Sequence, residues 1–335
     1  MKKSNLIKIG FLLLLCILFG CEKEEIPIEK HVSGDITEGI VELKSDYRYQ
    51  VFYKFSTNSS VSKNLKTIWD LAFETAPDGY HIKLNSSKAM QAYNTKKTNL
   101  NAVTTVPSSG WTWDKPNGFI DSTAIGEWGD WYPDSVITKN EVYVLDLGYD
   151  YNGSKLGYKK IIFRGLNKNK YEIEYANLDG SANNVFVIEK TELYNFTFFS
   201  FNNNGEVVMV EPPKTDWDLQ FTQYSHIFYN NQQPLFYLVT GVLHNHHSTL
   251  TFRDTTIGFE KFDFDDALSV TYSKDLNTIG YDWKSWNYTS GQYSLKPEIN
   301  YVVKTQDNIY YKMHFIDFYN GSGEKGTPNF EFQKL

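Results

Sequence analysis

Four of the seven histidines in this chain lie in residues 214–247, a stretch that reads as two strands joined by a turn. His244 and His246 are two residues apart, so on a strand their side chains would share one face, and His247 would point to the other. His226 lies on the first run, and a turn at residues 230–234 would bring it alongside the second. Imidazoles gathered in this way predict a site for an iron cofactor or a divalent metal ion.

Three interpretations of this stretch stay open from the residues alone. In the first, haem iron is bound by at least one of His226, His244 and His246, in an apolar slot that buries the macrocycle. In the second, His244, His246 and His247 supply a divalent metal site, since imidazole suits zinc, copper or nickel. In the third, the cluster is a solvated turn that follows the strand.

Two residues elsewhere in the chain have side chains of the right type for an iron ligand. His81 follows Tyr80 in another predicted hairpin, and Met90 has a thioether. For both of them a structural role is the simpler alternative.

The N-terminus has the pattern of an exported lipoprotein. Three lysines precede an apolar run at residues 11–19, which ends at Leu18-Phe19-Gly20-Cys21. This predicts a signal peptide at residues 1–20, a lipid on Cys21 and a charged tether over 21–39. The Lys-Glu-Glu triplet at 23–25 resembles the export signal of Bacteroidota lipoproteins, so we expect an outer-membrane location that faces the exterior.

Charge and cysteine content exclude several functions. Removing residues 1–20 takes away three lysines, which leaves 30 basic against 40 acidic residues and argues against a nucleic-acid partner. Both cysteines, Cys16 and Cys21, belong to the exported N-terminus, so the domain has no thiol for a disulfide, a metal–thiolate site or nucleophilic catalysis. The chain also has no Gly-x-Ser-x-Gly, phosphate-binding loop or His-Glu-x-x-His motif, which predicts a binding protein and not an enzyme.

The remaining residues predict an all-β, antiparallel domain over 40–335. Short runs alternate aromatic and polar residues between Asn-, Gly- and Pro-rich turns, and a helix is indicated only at 262–268. KTIWDLAF at 66–73 recurs as KTDWDLQF at 214–221, with six of eight positions identical. The echo predicts two related halves, 40–190 and 191–335, and its repeated setting predicts core tryptophans at Trp69 and Trp217.

A stretch rich in tryptophan at residues 111–132 has neither a helical nor a strand period and predicts a long aromatic loop. Aromatic rings on a loop could bind a carbohydrate or another protein. A surface carbohydrate- or protein-binding lipoprotein is therefore the alternative function.

Three segments resemble the HmuY family of haem-binding lipoproteins. They are the first Trp-Asp-Leu segment with Leu84-Asn85, the Thr-Thr-Val-Pro at 104–107, and YYKMHFIDFYNGSGEKGTPNFEFQ at 310–333. The resemblance implies an all-β haemophore for iron acquisition, which takes haem from host haemoproteins and passes it to a TonB-dependent outer-membrane receptor. Family members hold the iron with two histidines, one of them shortly before the terminal hairpin. Tyr288 is the nearest candidate ligand at that place here, because residues 283–288 contain no histidine.

Overall fold

The computed structural model describes residues 31–133 and 135–335, and residues 33–335 form one compact unit. The predicted signal peptide, Cys21 and most of the predicted tether lie outside the described residues. The described part of the chain has no helix that is long and apolar enough to cross a membrane.

The protein is built almost wholly of antiparallel strands, so the predicted fold class is confirmed. The strands are β1 (Ile36–Ile40), β2 (Tyr49–Lys54), β3 (Ser59–Leu65), β4 (Leu71–Glu74), β5 (Ile82–Leu84), β6 (Gln91–Asn94), β7 (Gly129–Tyr132), β8 (Ser135–Thr138), β9 (Val142–Asp146), β10 (Tyr158–Asn167), β11 (Lys170–Ala176), β12 (Asn184–Glu189), β13 (Phe196–Ser200), β14 (Glu206–Val208), β15 (Leu219–Asn230), β16 (Gln233–His244), β17 (Leu250–Asp254), β18 (Lys284–Asn287), β19 (Gln292–Leu295), β20 (Asn300–Lys304), β21 (Tyr310–Tyr319) and β22 (Lys325–Lys334). Single 3₁₀ turns occur at Phe55–Thr57, Ser86–Lys88, Leu100–Ala102, Ile120–Ser122 and Asn202–Asn204.

One α-helix, α1 (Phe264–Ser269), is present among the described residues. Its acidic start forms a capping box, because Asp263 accepts from the backbone N–H of Asp266 and Asp266 accepts from that of Asp263. The acidic run therefore begins a helix close to the predicted position.

The strand order shows that the same arrangement occurs twice. One four-stranded sheet has the order β14-β13-β4-β5 and another has β3-β2-β15-β16, and both β4 and β15 begin at the leucine of a Trp-Asp-Leu segment. Two larger sheets also correspond, since β6-β9-β10-β11-β12 matches β17-β20-β21-β22-β1. We call β4–β14 the N-terminal repeat and β15–β22 with β1–β3 the C-terminal repeat.

The C-terminal repeat is completed by the start of the chain. β1 pairs along β22, from Ile36 opposite Gln333 to Ile40 opposite Asn329, and β2 pairs with β15. β1 therefore begins inside the segment predicted as a tether, because its backbone groups cover an otherwise open edge of the C-terminal sheet. The division into halves 40–190 and 191–335 stays a prediction, while in the strand order residues 36–65 belong with the second repeat.

Each repeat has its own hydrophobic core, and a smaller cluster joins them. One core takes residues between 71 and 201, and the other takes residues from 41–55 and 219–332. The joining cluster consists of Phe52, Trp69, Ala72, Phe196, Phe198, Val210 and Trp217. Trp69 meets Phe198 edge-on with ring centroids 4.9 Å apart, and Trp217 meets Phe52 in the same way at 4.9 Å, so the predicted core role of both tryptophans is confirmed.

The aspartates of the two Trp-Asp-Leu segments accept hydrogen bonds from backbone N–H groups at equivalent places. Asp70 Oδ2 accepts from Phe201 N at 2.7 Å, and Asp218 Oδ2 accepts from Phe55 N at 2.8 Å. Each aspartate thus joins the Trp-Asp-Leu segment to the hairpin beside it, and Asp70 also pairs with the Lys88 ammonium.

Two asparagines also correspond, and the sequence did not indicate that they are equivalent. Asn85 Nδ2 donates to the carbonyls of Lys66 and Trp69 at 2.7 and 2.8 Å. Asn245 Nδ2 donates to those of Lys214 and Trp217 at 2.8 and 2.7 Å. Asp70–Asn85 and Asp218–Asn245 therefore mark equivalent points in the two repeats.

Candidate functional site

The repeats differ most in the hairpin that lies between these marker residues. Asp70 and Asn85 are 15 positions apart, whereas Asp218 and Asn245 are 27 apart, so the C-terminal hairpin is 12 residues longer. Accordingly, β4 and β5 have 4 and 3 residues, while β15 and β16 have 12 each. The additional length projects beyond the core, because no residue of 225–238 belongs to a hydrophobic core cluster of the described chain.

This longer hairpin carries an aromatic face that includes His226. His226 lies directly opposite Tyr237, and Phe228 lies opposite Leu235, so the four side chains share one face of the two-stranded ribbon. Leu235 is 54% exposed and Tyr237 is 58% exposed. We refer to His226, Phe228, Leu235 and Tyr237 as the hairpin face.

The His226 imidazole has one nitrogen without a partner. Its ring lies 4.8 Å from the Phe228 ring and 4.9 Å from that of Tyr281. Nε2 is 3.4 Å from the Tyr281 hydroxyl, and Nδ1 is buried with no hydrogen-bond partner among the described residues. Burial lowers the pKa of His226, with Asp282 acting in the opposite direction, which favours the neutral imidazole. Neutral imidazole is the form that binds metal.

A second hairpin, β18–β19, lies beside the hairpin face. Lys284 at its base donates from Nζ to the Thr240 carbonyl on β16 at 2.7 Å, and burial lowers the pKa of this ammonium to about 7. Tyr237 is close enough to contribute to the raised pKa of Tyr293 on β19, after burial as the main cause. Tyr288, at the turn between β18 and β19, is 92% exposed.

His244 is enclosed by protein and does not reach solvent. It is 2% exposed, and its Nδ1 lies 2.9 Å from the Thr251 hydroxyl. Burial, with a smaller contribution from His246, lowers the pKa of His244 to about 4. Its surroundings are those of a core histidine.

His246 and His247 do not continue the strand, so the expected strand spacing of His244 and His246 is wrong, although both residues line one small cavity. β16 ends at His244, because Asn245 accepts from His247 N at 2.9 Å and turns the chain. The His246 side chain is exposed, and its ring lies 5.8 Å from that of Phe196. Within residues 31–133 and 135–335, no group of three or more His, Cys, Asp or Glu side chains could hold a metal ion, so His244, His246 and His247 are not brought together as one.

His81 and Met90 lie in the N-terminal repeat, and both are buried in surroundings that fit a structural role, which was the simpler alternative to binding iron. His81 Nδ1 is 2.9 Å from Glu74 Oε2, and the residue is 7% exposed. Burial is the largest single influence and acts to raise the pKa of Glu74, but the hydrogen bonds from the ring and the backbone N–H of His81, together with the charge of nearby imidazoles, hold that pKa below its usual value. Met90 is 1% exposed and packs in the N-terminal core.

The aromatic stretch at 111–132 is partly core and partly strand. Trp128 is 2% exposed and donates from Nε1 to the Tyr80 carbonyl at 2.8 Å, so it is not available to a ligand. Trp131 and Tyr132 lie on β7, which pairs with β8, and are 42% and 48% exposed. The expected long loop is thus wrong at its C-terminal end, because a four-residue strand is too short for its period to be read among so many aromatic residues.

Sequence reasoning missed Tyr237 and Tyr281 as neighbours of His226. The alternation of apolar residues along β16 could have indicated Tyr237, since it lies opposite His226 once the turn is located. Nothing in the sequence around Tyr281 indicates its contact, because residues 226 and 281 are 55 positions apart.

Comparison with known proteins identifies relatives of this chain. A family model described as HmuY protein matches residues 46–332. Among solved structures, apo PinO from Porphyromonas gingivitis is 7% identical with a TM-score of 0.25, and 90% of this chain and 97% of that chain are covered. An apo HmuY analog (TFO) from Tannerella forsythia is 10% identical with a TM-score of 0.27, covering 92% and 99%. A protein from Bacteroides vulgatus described as HmuY-like and heme binding is 12% identical with a TM-score of 0.22, covering 90% and 97%. No curated protein matches the chain.

Proposed function

This chain belongs to the HmuY family, and we propose that it binds haem at the hairpin face, with His226 as an iron ligand and without catalysing a reaction. The resemblance noted in the sequence implies haem as the ligand, and the hairpin is where this chain has the groups to hold it.

The observation that carries the proposal is the hairpin extension that only one repeat has. Features found in both repeats, such as the Trp-Asp-Leu segments, serve architecture that both need. The additional 12 residues serve no core, yet they hold His226 in an aromatic setting. The segment lies outside the core clusters, and its ring contacts are with Trp113 and Tyr281, so a binding role explains its length and its histidine best.

The side chains present fit haem in their chemistry. Haem is a flat apolar macrocycle that needs apolar surface against its faces and an imidazole, thioether or phenolate at the iron. His226 would supply the imidazole, and Phe228, Leu235 and Tyr237 would supply apolar surface. When bound, the iron would provide a coordination bond to the imidazole, and the surrounding residues would exclude water from it.

Tyr288 is the candidate for a second iron ligand. It projects from the β18–β19 turn, and β18 is tied to β16 through Lys284. A tyrosinate can hold haem iron. His244, His246, His81 and Met90 are less suitable, since they are enclosed or lie apart from the hairpin face.

We further propose that the protein is lipid-anchored through Cys21 at the outer membrane and faces the exterior. In that position it would take haem from host haemoproteins and deliver it to a TonB-dependent receptor. The predicted lipoprotein signal and the open hairpin face support this, because an exposed site lets another protein reach the ligand. Protease treatment of intact cells, with a Cys21→Ser variant as control, would test it: protection of the wild-type protein would contradict exterior display.

Haem titration of the purified protein tests the central proposal. We expect a shifted Soret band at low micromolar haem, and an affinity at least ~10-fold lower for His226→Ala, equivalent to about 1.4 kcal/mol. His247→Ala is the matched control, because it removes an imidazole away from the hairpin face. The proposal fails if the wild-type protein does not change the haem spectrum, and the assignment of His226 fails if both variants bind equally.

A carbohydrate- or protein-binding function has one observation in its favour. Trp131 and Tyr132 are both exposed on β7, on opposite faces of the strand, and exposed aromatic rings are common at recognition surfaces. Glycan-array binding that is lost on Trp131→Ala, in a protein indifferent to haem, would establish this function instead. Trp128→Ala is not a useful test, since it would remove a core side chain.

A further inference from the structure

Tyr281 lies on a segment whose backbone is held against β16. Gly280 and Val242 exchange two backbone hydrogen bonds, of 2.9 and 3.0 Å. The two segments approach so closely that a Cβ atom on Gly241 would collide with the Gly280 carbonyl oxygen, so only glycine fits at this position of β16. The backbone beside Tyr281 is therefore fixed near the base of the long hairpin, and movement of this residue is left to its side chain.

The Tyr281 side chain lies against the proposed iron ligand. Its ring centroid is 4.9 Å from that of His226 and 5.7 Å from that of Phe228. Its hydroxyl oxygen is 3.4 Å from His226 Nε2. Burial, with a smaller contribution from Asp282, raises the pKa of Tyr281, so the group stays a hydroxyl at neutral pH and can both donate and accept a hydrogen bond.

The surroundings of the two ring nitrogens favour one tautomer of His226. A neutral imidazole carries its proton on one nitrogen and accepts at the other. Nδ1 is buried without a partner in the described part of the chain, so a proton there would be a buried donor with no acceptor, which is costly and rare. A proton on Nε2 can instead be donated to the Tyr281 hydroxyl oxygen.

We propose that Tyr281 caps the iron ligand: its hydroxyl holds the proton of His226 on Nε2, and haem iron is bound only after this contact opens. The inference rests on the proposed function, because it concerns the same histidine. Iron binds to the unprotonated nitrogen of a neutral imidazole. The proton must therefore pass from Nε2 to Nδ1 as the iron–nitrogen bond forms, and the hydroxyl must leave Nε2.

Tyr281 is poorly placed to bind the same iron. Two axial ligands lie on opposite faces of a haem, whereas the His226 and Tyr281 rings are in contact and leave no space for a macrocycle between them. Its hydroxyl would also have to lose a proton that burial makes harder to remove. Tyr281 is therefore a positioning residue, which acts through His226.

Nitrogen NMR of the imidazoles tests the cap without haem. A His226→Gln variant assigns the His226 signals among those of the seven histidines. We expect the wild-type protein at neutral pH to have the proton on Nε2, and Tyr281→Phe to shift the tautomer balance of His226 while the signals of His244 stay in place. A proton on Nδ1 in the wild type, or the same balance in both proteins, overturns the proposal.

Haem titration of Tyr281→Phe measures what the cap does to binding. We expect at least ~3-fold tighter binding than in the wild type, because the variant has no hydrogen bond to give up when the iron binds. Tyr229→Phe is the matched control, since Tyr229 is 74% exposed and lies on the other face of the same ribbon. Tyr281→Leu serves in its place if the phenylalanine variant does not fold.

The outcomes separate the cap from the proposed function. Tighter haem binding by the Tyr281 variant and not by the Tyr229 variant supports the cap, and so does a haem spectrum that only the Tyr281 variant changes. Equal or weaker binding by the Tyr281 variant, beside a wild type that binds haem, overturns the cap alone. If none of these proteins changes the haem spectrum, the proposed function itself fails.

Discussion

At the scale of single residues, surroundings separate histidines that the sequence grouped together. His244 is enclosed against Thr251, His246 lies on an exposed turn, and His226 is half-buried among aromatic rings. An iron ligand needs a neutral ring beside apolar surface that is open to a flat ligand, and of these three only His226 lies on such a face. Its Nδ1 is buried, so Nε2 would have to leave its 3.4 Å contact with the Tyr281 hydroxyl to bind the iron.

The enclosure of His244 predicts that stability falls in mild acid. The pKa of His244 is about 4 in the folded protein against 6.5 for an ordinary histidine, so the unfolded chain takes up the proton first as pH falls. The contribution of the neutral His244 ring to the free energy of unfolding is fully present above pH 6.5. It is lost between about pH 6.5 and 4 and amounts to about 3 kcal/mol in total.

Urea unfolding of the wild type and of His244→Gln at pH 7 and pH 4.5 measures this contribution. We expect a smaller difference between the two pH values for the variant, because it has no group to protonate at this position. An equal pH dependence in both proteins would show that other groups cause the acid sensitivity.

At the scale of elements, equivalent hydrogen bonds in the two repeats predict that they contribute equally to the free energy of unfolding. Asn85 and Asn245 each donate to two backbone carbonyls that would lose their partners on substitution. We expect Asn85→Ala and Asn245→Ala each to lower the free energy of unfolding by about 3 kcal/mol.

Chemical denaturation provides the measurement, with Asn183→Ala as the control because Asn183 is exposed and makes one long hydrogen bond. The control is expected to change stability by less than about 0.5 kcal/mol. A large effect at one asparagine and none at the other would mean that the repeats are not energetically alike.

The long hairpin predicts that binding can be removed without loss of the fold. Replacing residues 226–237 by Asn-Gly, a favoured two-residue turn, would shorten β15 and β16 towards the length of the N-terminal hairpin. We expect the shortened protein to remain folded, because these residues lie outside the hydrophobic core clusters, and to lose haem binding.

Circular dichroism and haem titration of the shortened protein measure the two outcomes. A folded protein that still binds haem would place the site elsewhere, and a protein that unfolds would show that the extension stabilises the domain.

At the scale of the whole molecule, the first and last residues of the compact unit 33–335 meet within one repeat. Gly34 N donates to Lys334 O at 2.8 Å, and β1 pairs with β22 over its full length. The N-terminal repeat is inserted between β3 and β15 of the C-terminal repeat, so two connections join the repeats, one at residues 66–70 and one that passes through Pro212 and Pro213.

This closure predicts that a circular permutant folds. A chain that begins at Pro213, with a short flexible linker joining Leu335 to Ser33, and ends at Pro212 would contain the two repeats in succession. We expect it to have the secondary structure of the parent and a melting temperature within about 8 °C of the parent's, which corresponds to a change of a few kcal/mol at most in the free energy of unfolding for a domain of this size.

A permutant opened inside β16, after Gly241, is the control that is expected not to fold, because it breaks the β15–β16 ladder. Failure of the first permutant would mean that the covalent order of strands is required.

The sequence by itself determined the fold class, the family resemblance and the core role of the Trp-Asp-Leu segments. These depend on local patterns, since strand periods, turn residues and repeated motifs can be read within a dozen positions. It also directed attention to residues 214–247 and to His226, although it ranked that residue with neighbours that proved to be enclosed or turned away.

Only the tertiary structure decided which segments form each repeat and which histidine lies in an open aromatic setting. Residues 36–65 complete a sheet formed by residues from 219 onwards, and Tyr281 reaches His226 across 55 positions. Pairing at such separations depends on the edges and faces that are left uncovered once the rest of the chain has folded, so no local pattern records it. The extension of the C-terminal hairpin was also identified only from the structure, because it is recognised by comparison with the shorter, equivalent hairpin of the N-terminal repeat.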